Sequence, residues 1–244
     1  MDAMECIATR RSIRRFLKVP VDFETIMSII EAGSVAPSSG NVQDWKFILV
    51  DSQDLKKEIS EHSLGQECLY NAAFLIVICS DPEQTERHYG LRGERLYTVQ
   101  NCATAAQNML LAAHALGLGG VWVGAFDEEK MRELMDIPKN ARPQAILAFG
   151  YPDEIPDHKR IKELSIITYF NSYGNKLKNV HHVLKDYSIE WEERIKKAHN
   201  TFGRLMEKTS AATQKTTEKI SKEGGSLLQR YTKKIKKTSN IKKK

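Results

Sequence analysis

The sequence contains no apolar run of the length that a membrane-spanning helix requires. Such a helix needs about 20 consecutive apolar residues, and every apolar stretch here is interrupted well before that length. The chain opens with "MDAMECIATRR", in which positive charge follows a short, acid-containing segment. A secretory signal has the opposite order, with its charge before a long apolar stretch. We therefore expect a cytoplasmic protein.

Cysteine is also scarce. The four cysteines lie far apart and form no CxxC pair, so they indicate neither a zinc site nor a disulfide framework. The seven histidines show no metal-ligand spacing. We predict reduced thiols and no bound metal ion, since a cysteine in an apolar run such as "AAFLIVICS" behaves as a small hydrophobic side chain. The four are Cys6, Cys68, Cys79 and Cys102.

Acidic residues become scarce near the end of the chain. Residues 175–244 contain 19 Lys and Arg against 7 Asp and Glu, a net charge of +12. Residues 1–174 contain 18 against 24, a net charge of −6. Long apolar runs also become rare after residue 174. This change predicts a globular domain at residues 1–174 and a basic, mainly helical C-terminal extension at residues 175–244.

Apolar residues in the extension recur at intervals of four and three, which predicts an amphipathic helix that packs on the acidic domain. Gly224 and Gly225 should end it, and we expect the last residues to be disordered. The positive charge predicts weak attraction to an anionic partner. Few aromatics are present for base stacking, so no specific nucleic-acid partner is predicted. The stripe comprises Trp191, Ile195, Ala198, Phe202 and Leu205.

Helical and strand-like patterns alternate in the first 174 residues. Helices are predicted at residues 2–9, 22–34, 52–62 and 95–116 and after Asp127, with Gly117 as the stop of the longest one. Strands are predicted in "WKFILV", "FLIVIC", "VWVGAF" and "AILAFGYP". We interpret residues 83–97 as an exposed polar segment, with a lid over an anionic acceptor as the alternative. The fold class is α+β, with helices around a mostly antiparallel or mixed sheet.

The segment "TRRSIRRF", residues 9–16, places four arginines within six positions. Like charges this close repel, so the cluster is either fully solvated or binds an anion. Arginine suits a phosphate, because its planar guanidinium donates paired hydrogen bonds to two oxygens. These eight residues leave both interpretations open.

Two further segments have more than one interpretation. The loop "PSSGNVQDW" carries hydroxyl and amide groups that can match the edge of a flat heterocycle, or it is a turn with local hydrogen bonds. The segment "GLGGVWVG" is not a Rossmann motif, because its glycines leave a helix to enter a strand and Trp122 occupies the last glycine position. A helix stop followed by close packing explains those glycines equally well.

Taken together, these motifs resemble a known family. "TRRSIRRF", "APSSGNVQDWKFILV", "NMLLAAHALGLGGVWVGAF" and "AFGYP" occur in the order and spacing of the nitroreductase-like, FMN-dependent oxidoreductases. The resemblance covers residues 1–174. It implies an obligate homodimer with two FMN molecules at the subunit interface and NADH or NADPH as the reductant.

The resemblance also implies roles for individual residues. One subunit would hold the FMN phosphate and pyrimidine side through Arg10, Arg11, Ser12 and Arg14. The other subunit would contribute Pro37, Ser38, Ser39 and Asn41. The remaining cofactor contacts would come from Gln66, from the backbone of Val123 and Gly124 near flavin N5, and from Lys159 and Arg160 at the phosphate. Arg15 would be merely solvated.

The implied activity is electron transfer by a ping-pong mechanism to a small-molecule acceptor such as a quinone, a nitroaromatic or a flavin. No side chain is assigned as a general acid or base, because the flavin carries the chemistry. Reductive dehalogenation, flavin fragmentation, or a flavin-binding scaffold recruited through its basic tail are the alternatives. Asp44 and Val123 depart from common family residues, namely Pro and, in one large subgroup, Glu.

Overall fold

The computed structural model describes residues 1–157, 160–176 and 197. Its helices are α1 (Ala3–Thr9), α2 (Phe23–Ser34), α3 (Gln53–Glu61), α4 (Glu67–Asn71), α5 (Pro82–Arg92), α6 (Thr98–Ala115), α7 (Glu128–Leu134) and α8 (Leu164–Ile167). Its strands are β1 (Trp45–Val50), β2 (Phe74–Ser80), β3 (Gly119–Val123) and β4 (Arg142–Gly150). A 3₁₀ turn covers Ser39–Asn41 and a π turn covers Gly93–Tyr97.

The described strands form one antiparallel sheet with the order β1-β2-β4-β3. All seven residues of β2 are buried, because helices cover both faces of the sheet. Leu75 and Val77 belong to the core cluster that contains residues of α3, α4 and α7, whereas Ile76 and Ile78 belong to the cluster with α2 and α6. The predicted α+β class with an antiparallel sheet is therefore confirmed.

Helix α6 packs against α2 and the sheet. Ala105, Ala106 and Ala113 are fully buried, so small side chains let the neighbouring elements approach closely. The helix ends where predicted, since Gly117 follows it with φ +84°. Residues 119 and 120 then enter β3, and a Cβ on Gly120 would lie 2.8 Å from Phe149 Cε1. The glycines of "GLGGVWVG" thus provide a helix stop and close packing.

Residues 83–97 are mostly exposed, as predicted, and the segment is mostly helical, which was not predicted. Helix α5 runs through it with a break at Gly90, where φ is +57°, and the π turn joins it to α6. The predicted start of the long helix at residue 95 accordingly falls within that turn. The hydroxyl of Thr85 donates a hydrogen bond to the buried carboxylate of Asp44, which lies outside the helix. Hydrophobic periodicity does not predict such a contact.

The arginine segment runs along the outer edge of β3. Ser12 forms a parallel bridge with Gly120, and the Ile13 amide donates to the Gly120 carbonyl at 3.1 Å. Ile13 and Phe16 are buried and anchor the segment. The chain that follows β4 then pairs with it, since Phe16 forms an antiparallel bridge with Pro152.

Apart from residues 175, 176 and 197, the predicted C-terminal extension with its amphipathic helix lies outside the described residues, as does Lys159. The boundary at residue 174 therefore stays a prediction. Among the described residues, no helix is long and apolar enough to cross a membrane.

Candidate functional site

A surface pocket of ≈260 Å³ lies beside the arginine segment. Within residues 1–157 and 160–176, neither Arg10 nor Arg14 has a carboxylate within 4 Å of its guanidinium. Unpaired guanidinium groups at one pocket attract an anion and favour the binding interpretation of "TRRSIRRF" over simple solvation. The pocket is lined by Arg10, Arg11, Ser12, Arg14 and Pro156.

The other two arginines of the segment have partners. Arg11 donates through Nη1 to the carbonyls of Ala8 and Arg10, at 2.8 and 2.9 Å. Burial and the neighbouring charge of Arg10 lower the pKa of Arg11. Arg15 is exposed and forms an ion pair with Asp153 at 3.5 Å, which agrees with its predicted solvation.

The side chain of Glu154 binds the backbone of the arginine segment. Its Oε1 accepts hydrogen bonds from the amides of Arg14 and Arg15, at 2.5 and 3.1 Å. Among the described residues, this carboxylate forms no ion pair with Arg14. This arrangement fixes the main chain and leaves the Arg14 guanidinium available to a ligand.

His114 lies behind the pocket, near the end of α6. Its Nε2 is 2.8 Å from the Thr9 hydroxyl, which donates to the Glu5 carbonyl at 2.6 Å. Burial, together with Arg10 and Arg11, lowers the pKa of His114 to about 4. The ring is therefore neutral near pH 7, and it adds no charge next to the arginines.

The C-terminal end of β3 brings together the residues predicted at the flavin ring. Gly124 is exposed, and a Cβ there would have only an ordinary contact, 3.6 Å from Trp122 Nε1. Gln66 donates through Nε2 to the carbonyls of Ser63 and Ala125, at 2.9 and 3.4 Å. These bonds use both amide protons and leave Gln66 Oε1 as an acceptor beside the strand end.

The arginines and this end of β3 share one strand edge. Gly120 pairs with the arginine segment, and Gly124 follows four residues later. At about 3.3 Å per residue, the two positions are roughly 13 Å apart along the strand. An elongated ligand with an anionic end and a flat polar end matches this spacing.

The loop of residues 37–43 has an unusual backbone. Gly40, Asn41 and Gln43 all have positive φ, at +55°, +57° and +52°. Such conformations cost about 1 kcal/mol or more for residues other than glycine and persist where surrounding contacts enforce them. Here Gln43 supplies the contacts, since its amide donates to Ser38 Oγ at 3.1 Å and its side chain donates to Asn41 Oδ1 at 2.9 Å.

Polar residues on α6 hold this loop in place. Asn101 Oδ1 accepts hydrogen bonds from the amide and hydroxyl of Ser39, at 2.9 and 3.2 Å. The Thr104 hydroxyl lies 2.9 Å from the Pro37 carbonyl and 2.7 Å from the Asn101 carbonyl, and its one proton is shared between these acceptors. These side chains were not among the predicted site residues, although they recur at helical spacing with Asn108, which donates to the Ala32 carbonyl.

An aromatic and cationic cluster from α5 and the π turn borders the same loop. The Tyr89 hydroxyl lies so close to Gly40 that a Cβ on this glycine would collide with it. Tyr89 and Tyr97 pack edge to face at 5.2 Å between ring centroids, and Arg92 lies 5.5 Å from the Tyr97 ring centroid. This cluster places two aromatic rings and one positive charge beside the loop.

The predicted site residues form two groups in the single chain. The arginine group lines the pocket and shares a strand edge with Val123 and Gly124, near Gln66. The loop residues Pro37, Ser38, Ser39 and Asn41 do not line that pocket. Arg160 is exposed and is absent from the pocket lining.

Comparison with known proteins gives a consistent result. The family model of the "Nitroreductase family" matches residues 7–67 and 63–151. A protein of Archaeoglobus fulgidus, whose name combines NADH dehydrogenase and NAD(P)H nitroreductase, is 37% identical over 160 residues, covering 64% of this chain and 88% of the relative.

Two further matches bear on the chemistry. The structure of an FMN-dependent nitroreductase from Clostridium difficile R20291 is 27% identical with a TM-score of 0.61, covering 70% of this chain and 99% of that one. A 5,6-dimethylbenzimidazole synthase of Rhodospirillum rubrum is 28% identical over 178 residues, covering 62% of this chain and 84% of the relative.

Proposed function

The chain belongs to the nitroreductase family, and from this premise we propose that it is an FMN-dependent NAD(P)H oxidoreductase. The observation that carries the proposal is the pocket with two unpaired guanidinium groups. It lies beside the edge of β3, the strand that Gly124 directly follows. When bound, FMN would supply the redox chemistry, namely two-electron transfer from NADH or NADPH to a small-molecule acceptor in a ping-pong cycle.

The residues of this chain fit FMN at both ends. Arg10 and Arg14 would bind the phosphate, because guanidinium groups donate paired hydrogen bonds to its oxygens. Gln66 Oε1 would accept the pyrimidine N–H, since its own amide protons are already used. The backbone of Val123 and Gly124 would lie at the redox-active part of the ring. Arg11 and Ser12 complete the pocket wall.

A homodimer explains the separation of the two residue groups. Pro37, Ser38, Ser39 and Asn41 do not line the arginine pocket of their own chain, so we propose that they approach the FMN bound to the other subunit. Lys159 and Arg160 are proposed to close on the phosphate. The chain segment before them supports this, because Pro156 already lines the pocket.

The flavin itself provides the test. Purified protein should be yellow or should take up added FMN, and NADH or NADPH should bleach the visible absorption in the absence of oxygen. Quinones, nitroaromatics and free flavins should restore the absorption at different rates, which identifies the acceptor class. A colourless protein that does not bind added FMN would refute the proposal.

Fragmentation of the flavin is a second candidate, favoured by the similarity to the dimethylbenzimidazole synthase. The two candidates differ in the fate of the flavin. An oxidoreductase returns FMN unchanged after many cycles of reduction and reoxidation. A fragmenting enzyme consumes reduced FMN in the presence of oxygen, and chromatography of the flavin distinguishes the two.

A further inference from the structure

Asp44 is a fully buried carboxylate directly before β1. Its Oδ1 accepts a hydrogen bond from Asn101 Nδ2 at 2.7 Å, and its Oδ2 accepts one from the Thr85 hydroxyl at 2.6 Å. Within the described part of the chain, no Lys, Arg or His lies within 4 Å of this carboxylate. The hydrogen-bond donors to this carboxylate are therefore both neutral.

The carboxylate determines the orientation of the Asn101 amide. Both oxygens of Asp44 act as acceptors, so Asn101 turns its NH₂ group toward Asp44 and its oxygen toward Ser39. The Ser39 side requires the same orientation, because the backbone amide of Ser39 can only donate. A flipped amide would oppose donor to donor at Ser39 and leave Asp44 without one of its two donors.

This orientation decides which groups the loop offers to a ligand. The amide and hydroxyl protons of Ser39 are both used by Asn101. Ser38 Oγ accepts the Gln43 amide and Asn41 Oδ1 accepts the Gln43 side chain. Among the side chains of Ser38, Ser39 and Asn41, the Ser38 hydroxyl proton and the Asn41 Nδ2 protons remain as donors that the loop can direct at the flavin.

The same carboxylate connects the loop to α5. Thr85 is buried at the start of this helix, and Tyr89, one turn later, packs against Gly40 of the loop. Two contacts therefore join the aromatic cluster to the loop, one through Asp44 and one direct.

We propose that Asp44 and Asn101 are positioning residues that hold the FMN-binding loop in its ligand-ready conformation and connect it to α5. The inference rests on the proposed function, since the loop is taken to contact FMN. Asp44 acts through the Asn101 amide, and Asn101 acts through Ser39. Neither residue is required to touch the cofactor.

Exchanging the two side chains tests this relay. In Asn101→Asp two carboxylates would face each other at hydrogen-bond distance, so the loop should be displaced and the Kd for FMN should rise tenfold or more. In the exchange variant, Asp44→Asn with Asn101→Asp, donor and acceptor simply change places. The amide introduced at position 44 can donate to the carboxylate introduced at position 101, and that carboxylate still accepts from Ser39. The exchange variant should return to within about threefold of the wild-type Kd.

A second double variant separates positioning from folding. Asp44→Ala with Asn101→Ala leaves no buried charge but removes the acceptor of Ser39, so the protein should fold while the Kd for FMN rises tenfold or more. Asn108→Ala is the matched control on the same face of α6, because its amide contacts the end of α2 and not the loop. It should bind FMN as the wild type does.

The readouts are the Kd from quenching of FMN fluorescence by full-length apo-protein and the Tm of the same apo-protein. Wild-type FMN affinity in Asn101→Asp or in the double alanine variant would overturn the inference, as would a folded exchange variant that does not regain affinity. A lower Tm with unchanged Kd would show a purely structural role and would also overturn it. Wild-type protein that does not bind FMN would refute the proposed function and the inference together.

Discussion

Replacing Arg10 with alanine should weaken FMN binding without destabilising the apo-protein. Arg10 is half-buried in the pocket wall and has no carboxylate partner among the described residues. Its charge lies close enough to Arg11 to lower the pKa of that residue. In the apo-protein the side chain is therefore a source of repulsion, and its removal should leave the Tm unchanged or slightly higher.

The size of the effect follows from the kind of bond that is lost. A hydrogen bond to a charged group contributes about 1.5–3 kcal/mol, which corresponds to a roughly 10- to 150-fold increase in Kd. Partial burial of Arg10 favours the upper part of that range, because a desolvated charge is less screened. Arg15 is the matched control. It is exposed and paired with Asp153, so its replacement by alanine should change the free energy of binding by less than about 1 kcal/mol.

Two ligands make the assay specific for the phosphate. Apo-protein is titrated against FMN and against riboflavin, which lacks the phosphate, and flavin fluorescence is recorded. Arg10→Ala should weaken FMN binding and leave riboflavin binding unchanged, and FMN affinity of the wild type should fall with added salt. Equal losses for both ligands, or equal losses in the Arg10 and Arg15 variants, would refute the assignment of Arg10 to the phosphate.

Two more predictions concern glycine and histidine. Gly124→Val should keep the wild-type Tm but slow flavin reduction by NADH, because its Cβ meets only an ordinary contact with Trp122 in the protein and would crowd the bound ring. Gly120→Val should instead lose about 1–3 kcal/mol of stability through collision with Phe149 in the core, and comparable Tm values for both would contradict this. In the folded protein the pKa of His114 is lowered to about 4 from its ordinary 6.5. Between these pH values the unfolded chain carries a proton on this imidazole that the folded protein does not. The free energy of unfolding should therefore fall as the pH decreases through this range, by up to about 1.4 kcal/mol per pH unit. His114→Gln should flatten the dependence of Tm on pH between 7 and 5, and an unchanged slope would contradict the cause given.

Local signals were sufficient for much of the fold. The apolar run of β2 predicted a buried strand, and the aspartates before α2 and α7 predicted helix starts, each now seen to accept an amide proton of the first turn. These features depend on residues a few positions apart, where periodicity and capping operate. The beginning of α6 could not be predicted in this way, because the π turn continues the helical pattern without a break in composition.

The hydrogen bonds that organise the loop could not be predicted from local patterns. Asp44 and Asn101 are 57 positions apart, and Thr85 comes from a third element. An isolated aspartate before an apolar strand is a common turn residue and gives no sign that its carboxylate will be buried. Asn101, Thr104 and Asn108 did share a helical spacing, and this polar face on an alanine-rich helix was an available signal.

Net charge would have predicted the wrong sign for the field at the pocket. Residues 1–174 carry a net charge of −6, yet the pocket is positive. Two acidic residues contact the arginine segment. Asp153 pairs with Arg15, and Glu154 accepts hydrogen bonds from the backbone amides of Arg14 and Arg15, and neither forms an ion pair with Arg10 or Arg14. His114 stays neutral, mainly because it is buried, and so it adds no positive charge beside the arginines. The attraction for an anion therefore comes from the guanidinium groups of Arg10 and Arg14, which pair with no carboxylate of the described residues.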